Sequence, residues 1–322
     1  MLKDLLDKRQ CFKLVCGAGN EDVEEVEKLV TIYSKAGCTF FDLCAKPEIV
    51  DAAKRGLKRA GIEQNRYLCV SVGISGDPHI TKAFINQETC KKCGKCKTVC
   101  PHDAILELDK YKVKKERCIG CGQCAKYCPH NTIEMVSQIQ EYDEILPPLI
   151  QKGIDCIEFH AISEDENDVD KKWAQINKHF DGLLCISLDR STLGDTKLKQ
   201  RVERLIKNRK PFSTIIQADG VAMSGNSDEY STTLQAVATA QLFQNAQMPA
   251  YIMMSGGTNS KSTQLAKQCG VQVHCLAVGS YARKIVKDYL TRDDLFENEQ
   301  IMQEAVDIAK KLISTSLESL ND

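Results

Sequence analysis

Apolar residues recur along this chain with two periods, and each change of period marks an element. Residues 12–17 form a short apolar run. Over 21–36 the apolar positions Val23, Val26, Leu29, Val30 and Tyr33 then fall at helical spacing. The pattern continues with strands at 38–44, 67–73, 156–161, 183–189, 212–219, 251–256 and 273–279. Helices are predicted at 47–60, where Pro47 suits a first helical position, and at 142–152, 166–180, 196–207, 232–245, 262–269, 281–289 and 296–317. Eight strand–helix units predict an α/β fold, a (β/α)8 TIM-like barrel. A doubly wound open sheet is the alternative, because periodicity does not show closure.

The alternation stops after Gly73 and resumes at Tyr142. The predicted organisation is therefore a first barrel part at 1–76, an insert at 77–138, and a second barrel part with a C-terminal helix at 139–322. Without the insert 260 of the 322 residues remain, near the ~250 usual for a barrel.

Period two also predicts which side chains face the barrel lumen. With helices outside, Ile157 and Phe159 point outward, and Cys156, Glu158 and His160 inward. The same reading turns Asp42 and Cys44, Ser187 and Asp189, Gln217 and Asp219, and Ser71 into the lumen. A structural barrel fills that space with branched apolar side chains. Carboxylates, a histidine and hydroxyls at the C-terminal strand ends instead predict a ligand or catalytic site at Asp42, Glu158, His160, Asp189 and Asp219. The competing reading is a self-satisfied buried polar network.

The insert carries the densest chemistry. It reads Cys90-x2-Cys93-x2-Cys96-x3-Cys100-Pro101 and then Cys118-x2-Cys121-x2-Cys124-x3-Cys128-Pro129, a repeat at an offset of 28. Three closely spaced thiolates hold one cubane, and the fourth cysteine of each run ligates the other cluster. Cys90, Cys93, Cys96 and Cys128 are the predicted ligands of one [4Fe–4S] cluster, and Cys118, Cys121, Cys124 and Cys100 of the second. Structural zinc wants two pairs of ligands per ion; a third cysteine at the same step and a trailing proline are not required for it. His102 and His130 follow the ligand–proline pairs and are expected to be exposed repeat residues.

Composition narrows the setting. A net charge of −1 gives no global field for nucleic acid or membrane. The charged N-terminus is unlike a signal peptide, and no apolar run is long enough to span a bilayer. With 17 cysteines and no secretion signal, reduced thiols in a cytoplasmic protein are expected. Oligomeric state is not legible.

Glycine loops end the last strands: 219–225 after the sixth, Ser255-Gly256-Gly257-Thr258-Asn259 after the seventh, and Gly279-Ser280 after the eighth. Glycine lets backbone N–H groups approach an anion closely, and barrels commonly grip phosphate at these two last loops. Gly256, Gly257, Gly279 and Ser280 are thus candidate holders of a phosphate-bearing ligand such as FMN, with Arg283 and Lys284 assisting. Around the clusters, Lys91, Lys92, Lys95, Lys97, Lys110, Lys112, Lys114, Lys115 and Arg117 form a basic apron. It suits either an acidic redox partner protein or a solvated face.

Together these stretches resemble the cyanobacterial light-dependent period iron–sulfur proteins and their relatives in other bacteria. The resemblance rests on Phe12-Lys13-Leu14-Val15-Cys16-Gly17-Ala18, Lys82-Ala83-Phe84, Asp219-Gly220-x2-Met223-Ser224-Gly225, Ser255 to Asn259, and Gly279-Ser280-Tyr281-Ala282-Arg283. It implies a two-cluster iron–sulfur protein that reports redox state to partners. The expectation is electron transfer or redox sensing coupled to a ligand-binding barrel. The alternative is a flavin- or phosphosubstrate-dependent oxidoreductase with the clusters as its relay.

Overall fold

The computed structural model describes residues 1–75, 77–221 and 227–321. Its strands are β1 (Cys11–Val15), β2 (Phe40–Cys44), β3 (Tyr67–Val72), β4 (Thr81–Ile85), β5 (Ile105–Glu107), β6 (Tyr111–Val113), β7 (Ile133–Ser137), β8 (Cys156–His160), β9 (Leu183–Asp189), β10 (Thr214–Asp219), β11 (Tyr251–Ser255) and β12 (Cys275–Val278). Eight of them close in the order β1-β12-β11-β10-β9-β8-β3-β2. β1 pairs in parallel with both β2 and β12, so the sheet has no edge and the open-sheet alternative is excluded. The chain is a (β/α)8 barrel.

Local chemistry starts and stops its helices. Asp22 caps the helix Val23–Lys35 by accepting from the Glu25 N–H. Glu24 and Glu25 in its first turn complement the helix dipole. Pro47 opens Pro47–Ala60, and Gly61, at φ 70°, ends it in the left-handed conformation. The outward strand faces, Phe41, Leu43, Ile157, Phe159, Ile186 and Leu188 among them, join the helices in one large core.

Several features differ from expectation, among them a short helix Arg190–Leu193 after β9. The segment expected as one helix over 281–289 is two short ones, Ser280–Ile285 and Lys287–Leu290. Cys44 joins the outer core at the rim, whereas Phe40 and Asp42 carry the inward register of β2. The helix Leu2–Asp7, only six residues long, is too short for a period to announce it. It buries Leu2 and Leu6 against the lumen floor of Cys11, Cys69, Cys156, Cys185, Met253 and Cys275. Each leucine contributes roughly 1.5–3 kcal/mol to sealing that end.

Between β3 and β8 the chain leaves the barrel and builds two antiparallel pairs, β4 with β7 and β5 with β6. This module has its own small core of Ala83, Ile85, Ala104, Ile105, Tyr111, Ile133 and buried cysteines. It lies against the first strand–helix loop and the last short helices. Lys82 Nζ donates to the Gly19 and Cys118 carbonyls at 2.7 Å each, and Arg117 pairs with Asp22 at 2.8 Å. Lys287 pairs with Asp103 at 2.8 Å.

Candidate functional site

The module sorts its eight motif cysteines into two groups. Cys90, Cys93, Cys96 and Cys128 line one cavity; Cys100, Cys118, Cys121 and Cys124 line another. These are the crossed quartets of the motif. Gly94 and Gly122 take positive φ where each run turns into its short helix, so consecutive thiols converge. Backbone N–H groups already point at sulfur, from Ala83 to Cys118 Sγ at 3.4 Å and from Ala104 to Cys100 Sγ at 3.3 Å. Burial and then the neighbouring thiols push Cys124 up to about 12. Such a quartet becomes thiolate when metal displaces its protons. The donor set and the N–H···S bonds fit [4Fe–4S] ligation.

The second cavity adjoins a larger one of about 180 Å³ at the C-terminal mouth of the barrel. Asp42, Glu158, His160, Asp189 and Asp219 all line it, as do Gly256, Gly257, Gly279 and Ser280. The structure thus brings the four candidate acids and His160 together with the four candidate rim residues, while Ser71, Cys156 and Lys284 do not line the mouth. Ala222, Met223, Ser224 and Gly225 lie outside the described residues.

Hydrogen bonds link the lumen side chains into a chain of charges. His160 Nε2 lies 3.0 Å from Glu158 Oε1, and its Nδ1 2.8 Å from Asp77 Oδ2. His79 Nδ1 lies 2.9 Å from the other Asp77 oxygen. Lys13 Nζ bonds Glu158 and sits 3.5 Å from Asp42, which accepts from Ser71 Oγ at 2.7 Å. Gln217 Nε2 donates to Glu158 at 2.8 Å, and Ser187 donates to Asp219.

These bonds divide the acids. Burial favours a neutral Glu158, but the Lys13 and His160 charges prevail and hold it well below the usual carboxylate range. Asp77 is held down in the same way by His160 and His79. Asp219 has no cation in contact among the described residues; burial, helped by the Glu158 charge, lifts it to about 6. Burial opposes the charge on Lys13, yet Asp42 and Glu158 keep it firmly protonated.

The rim holds Gly256 and Gly257 in the left-handed conformation, at φ 67° and 78°. Its cations are less available. Arg283 lines the mouth but is held by Glu25 through two bonds of 2.8 and 2.7 Å. Lys284 is exposed and is not among the lining residues.

Sequence reasoning missed Lys13, Asp77 and His79. A lone lysine between Phe12 and Leu14 in an apolar strand was the available signal for the first. The other two lie in the loop after β3, where no periodicity acts. His102 corrects the reading that it is exposed. It is 9% exposed, lines both the mouth and the second thiol cavity, and is pushed down to about 4 by burial and by Arg283. The repeat had equated it with His130, which is exposed; only the first copy meets the barrel.

Residues 148–315 match the family described as the light dependent period A C-terminal domain, and residues 83–135 match the 4Fe-4S dicluster domain. The chain is 28% identical over 320 residues to Light dependent period A of Synechococcus elongatus, covering 95% of this chain and 89% of that one. Among solved structures it is similar to the YdjI aldolase of Escherichia coli, at 8% identity and a TM-score of 0.49, covering 98% of this chain and 92% of that one. A truncated 3-deoxy-D-arabino-heptulosonate 7-phosphate synthase of Thermotoga maritima gives 11% identity and a TM-score of 0.44, covering 92% and 85%. The chain carries an iron–sulfur domain, and among the described residues no helix is long and apolar enough to cross a membrane.

Proposed function

The chain belongs to the light dependent period A family, and on that premise we propose an electron-transfer or redox-sensing protein with two [4Fe–4S] clusters, coupled to a small ligand in the barrel mouth. The observation that supports this best is a shared wall: Ile119 and His102 line both the mouth and the cavity of Cys100, Cys118, Cys121 and Cys124. When bound, the clusters supply one-electron exchange at potentials set by local charge, N–H···S bonds and exposure.

The chain's own residues set those conditions. Ala83 and Ala104 direct N–H groups at the second quartet. His102, held neutral, adds no charge to the shared wall, and the buried Ile119 gives it an apolar face. On the far side Cys93 is exposed among the exposed Lys91, Lys92 and Lys95, which suits docking of an acidic redox partner. The many free buried thiols suit a reducing cytoplasm.

In the mouth, a phosphate-bearing ligand would rest on Gly256, Gly257, Gly279 and Ser280, its polar remainder reaching Ser187, Gln217 and Asp219. A cavity of about 180 Å³ suits a sugar-phosphate-sized molecule better than FMN, since drug-sized ligands occupy ~300–1,000 Å³. Asp219 favours a second reading, an oxidoreductase. A carboxyl lifted to about 6 at the base of a cleft is placed to act as a general acid.

Anaerobic potentiometry followed by electron paramagnetic resonance tests the proposal. Two couples and about eight iron per chain are expected, with one couple shifting when a sugar phosphate or FMN is added. Four iron per chain would remove the second cluster. Potentials indifferent to every ligand would remove the coupling. Turnover of a carbonyl substrate would establish the enzyme instead.

A further inference from the structure

Asp77, His79 and His160 converge at the barrel mouth, with one ligand-type atom from each within 4.8 Å of the others. Asp77 and His160 are buried and His79 is 28% exposed, so the group is built into the wall yet reachable from the cavity. We propose that these three side chains bind a first-row divalent transition-metal ion, at a site separate from both thiol quartets.

The first argument is proton arithmetic. A neutral imidazole donates through one nitrogen and offers a lone pair on the other. Both nitrogens of His160 face carboxylate oxygens, Nε2 toward Glu158 at 3.0 Å and Nδ1 toward Asp77 at 2.8 Å. With one proton on the ring, one of these contacts sets lone pair against lone pair. Something positive must bridge it, either a second proton or a metal ion.

The second argument is the pair of histidines. His79 directs its own Nδ1 at Asp77 from 2.9 Å, and the two rings sit edge to face with centroids 4.4 Å apart. With His160 charged in the metal-free protein, a second charge on His79 at that separation would be repelled. One cation held between them and Asp77 satisfies both rings while they remain neutral.

The third argument lies behind the site. Metal-binding histidines characteristically donate their other ring N–H to a carboxylate, which fixes the tautomer. Glu158 occupies that position on His160. It is itself fixed by Lys13 and by Gln217 Nε2 at 2.8 Å. Two histidines, one carboxylate and open cavity on the remaining side form the donor set associated with non-haem iron(II) and related ions. Neither sulfur nor a fourth protein ligand is required, so the ion keeps positions free for water or an oxygen-bearing ligand.

Manganese(II) is a suitable probe, because its free six-line resonance disappears on binding and oxidised [4Fe–4S] clusters are diamagnetic. Titrated into anaerobically purified full-length protein, it should bind at one equivalent beyond the cluster iron, be displaced by zinc, and show nitrogen coupling from imidazole in pulsed spectra. His79→Gln and Asp77→Asn should each weaken binding at least ~10-fold, since even residues that only orient a ligand cost 10–100-fold. Cluster absorption should be unchanged in both. Should Asp77→Asn fail to fold, the nitrogen coupling in the unaltered protein carries the test. No binding at micromolar manganese, binding without nitrogen coupling, or equal binding by His79→Gln would overturn the site and leave a second proton on His160 as the bridge.

Discussion

Lys13 donates through Nζ to Glu158 in the barrel lumen, and neither side chain exposes more than 2% of its surface. Removing one member of a buried pair costs about 3–5 kcal/mol when the other charge is left unpaired; without Lys13, Glu158 keeps only His160 and Gln217, at 3.0 and 2.8 Å. Replacing both with uncharged residues of similar size is often neutral. Lys13→Met should therefore lower the unfolding free energy of the anaerobic protein, measured in urea, by up to that amount, and Lys13→Met with Glu158→Gln should recover part of it, the remainder falling on Asp42, 3.5 Å from Lys13. Equal losses in the single and double variants would mean that Lys13 acts by packing.

The two thiol cavities make the crossed quartets testable one ligand at a time. Cys128 shares its cavity with Cys90, Cys93 and Cys96, although it closes the other run in sequence. Cys128→Ser should damage only that cluster, and Cys100→Ser only the cluster of Cys118, Cys121 and Cys124. Iron content would drop by up to about four per chain in each. The surviving resonance should differ between the two variants; the same survivor in both would refute the crossing.

Where regular periodicity acts, the sequence was readable. Alternation in β8 placed Glu158 and His160 inward and Ile157 and Phe159 outward, because helices cover one face of every barrel strand. Closure was not readable, since the pairing of β1 with β12 joins residues far apart in the chain. Asp77 and His79 were hidden for a related reason. They sit in a loop whose position is set by the module, through Lys82 bonding the Gly19 carbonyl and through close backbone approach to Gly120. His102 was misjudged because symmetry within the repeat says nothing about which copy faces the barrel.

That close approach gives a prediction about how the second quartet is held against the mouth. A Cβ on Gly120, at φ 72°, would lie 1.7 Å from the Pro78 carbonyl oxygen and 2.5 Å from that of Thr81. Gly122 has nearly the same φ, 71°, with nothing within 4 Å of its Cβ position. Gly122→Ala should cost only the left-handed strain of about 1–2 kcal/mol. Gly120→Ala bears the same strain and must also push backbone away from backbone. It should melt lower than Gly122→Ala and surrender iron to a chelator faster. Matching behaviour would show that the contact with Pro78 does not hold the loop.

Asp219 gives the pH dependence. Burial and the Glu158 charge lift its carboxyl from an ordinary value near 3.8 to about 6 in the folded chain. The native state therefore binds the proton more tightly than the unfolded state does. Stability from this group is present below about 4 and is lost as pH rises through about 6. The loss is on the order of 3 kcal/mol if the whole shift is expressed. Asp219→Asn keeps the shape and an acceptor for Ser187 but cannot ionise. Its melting temperature should thus exceed that of the unaltered protein by a margin that grows between pH 5 and pH 7, a window mild enough for the clusters. Difference infrared spectra should show a protonated carboxyl band titrating near pH 6 and missing from the variant. A margin independent of pH, with no such band, would place the Asp219 charge in water and withdraw it as a general acid.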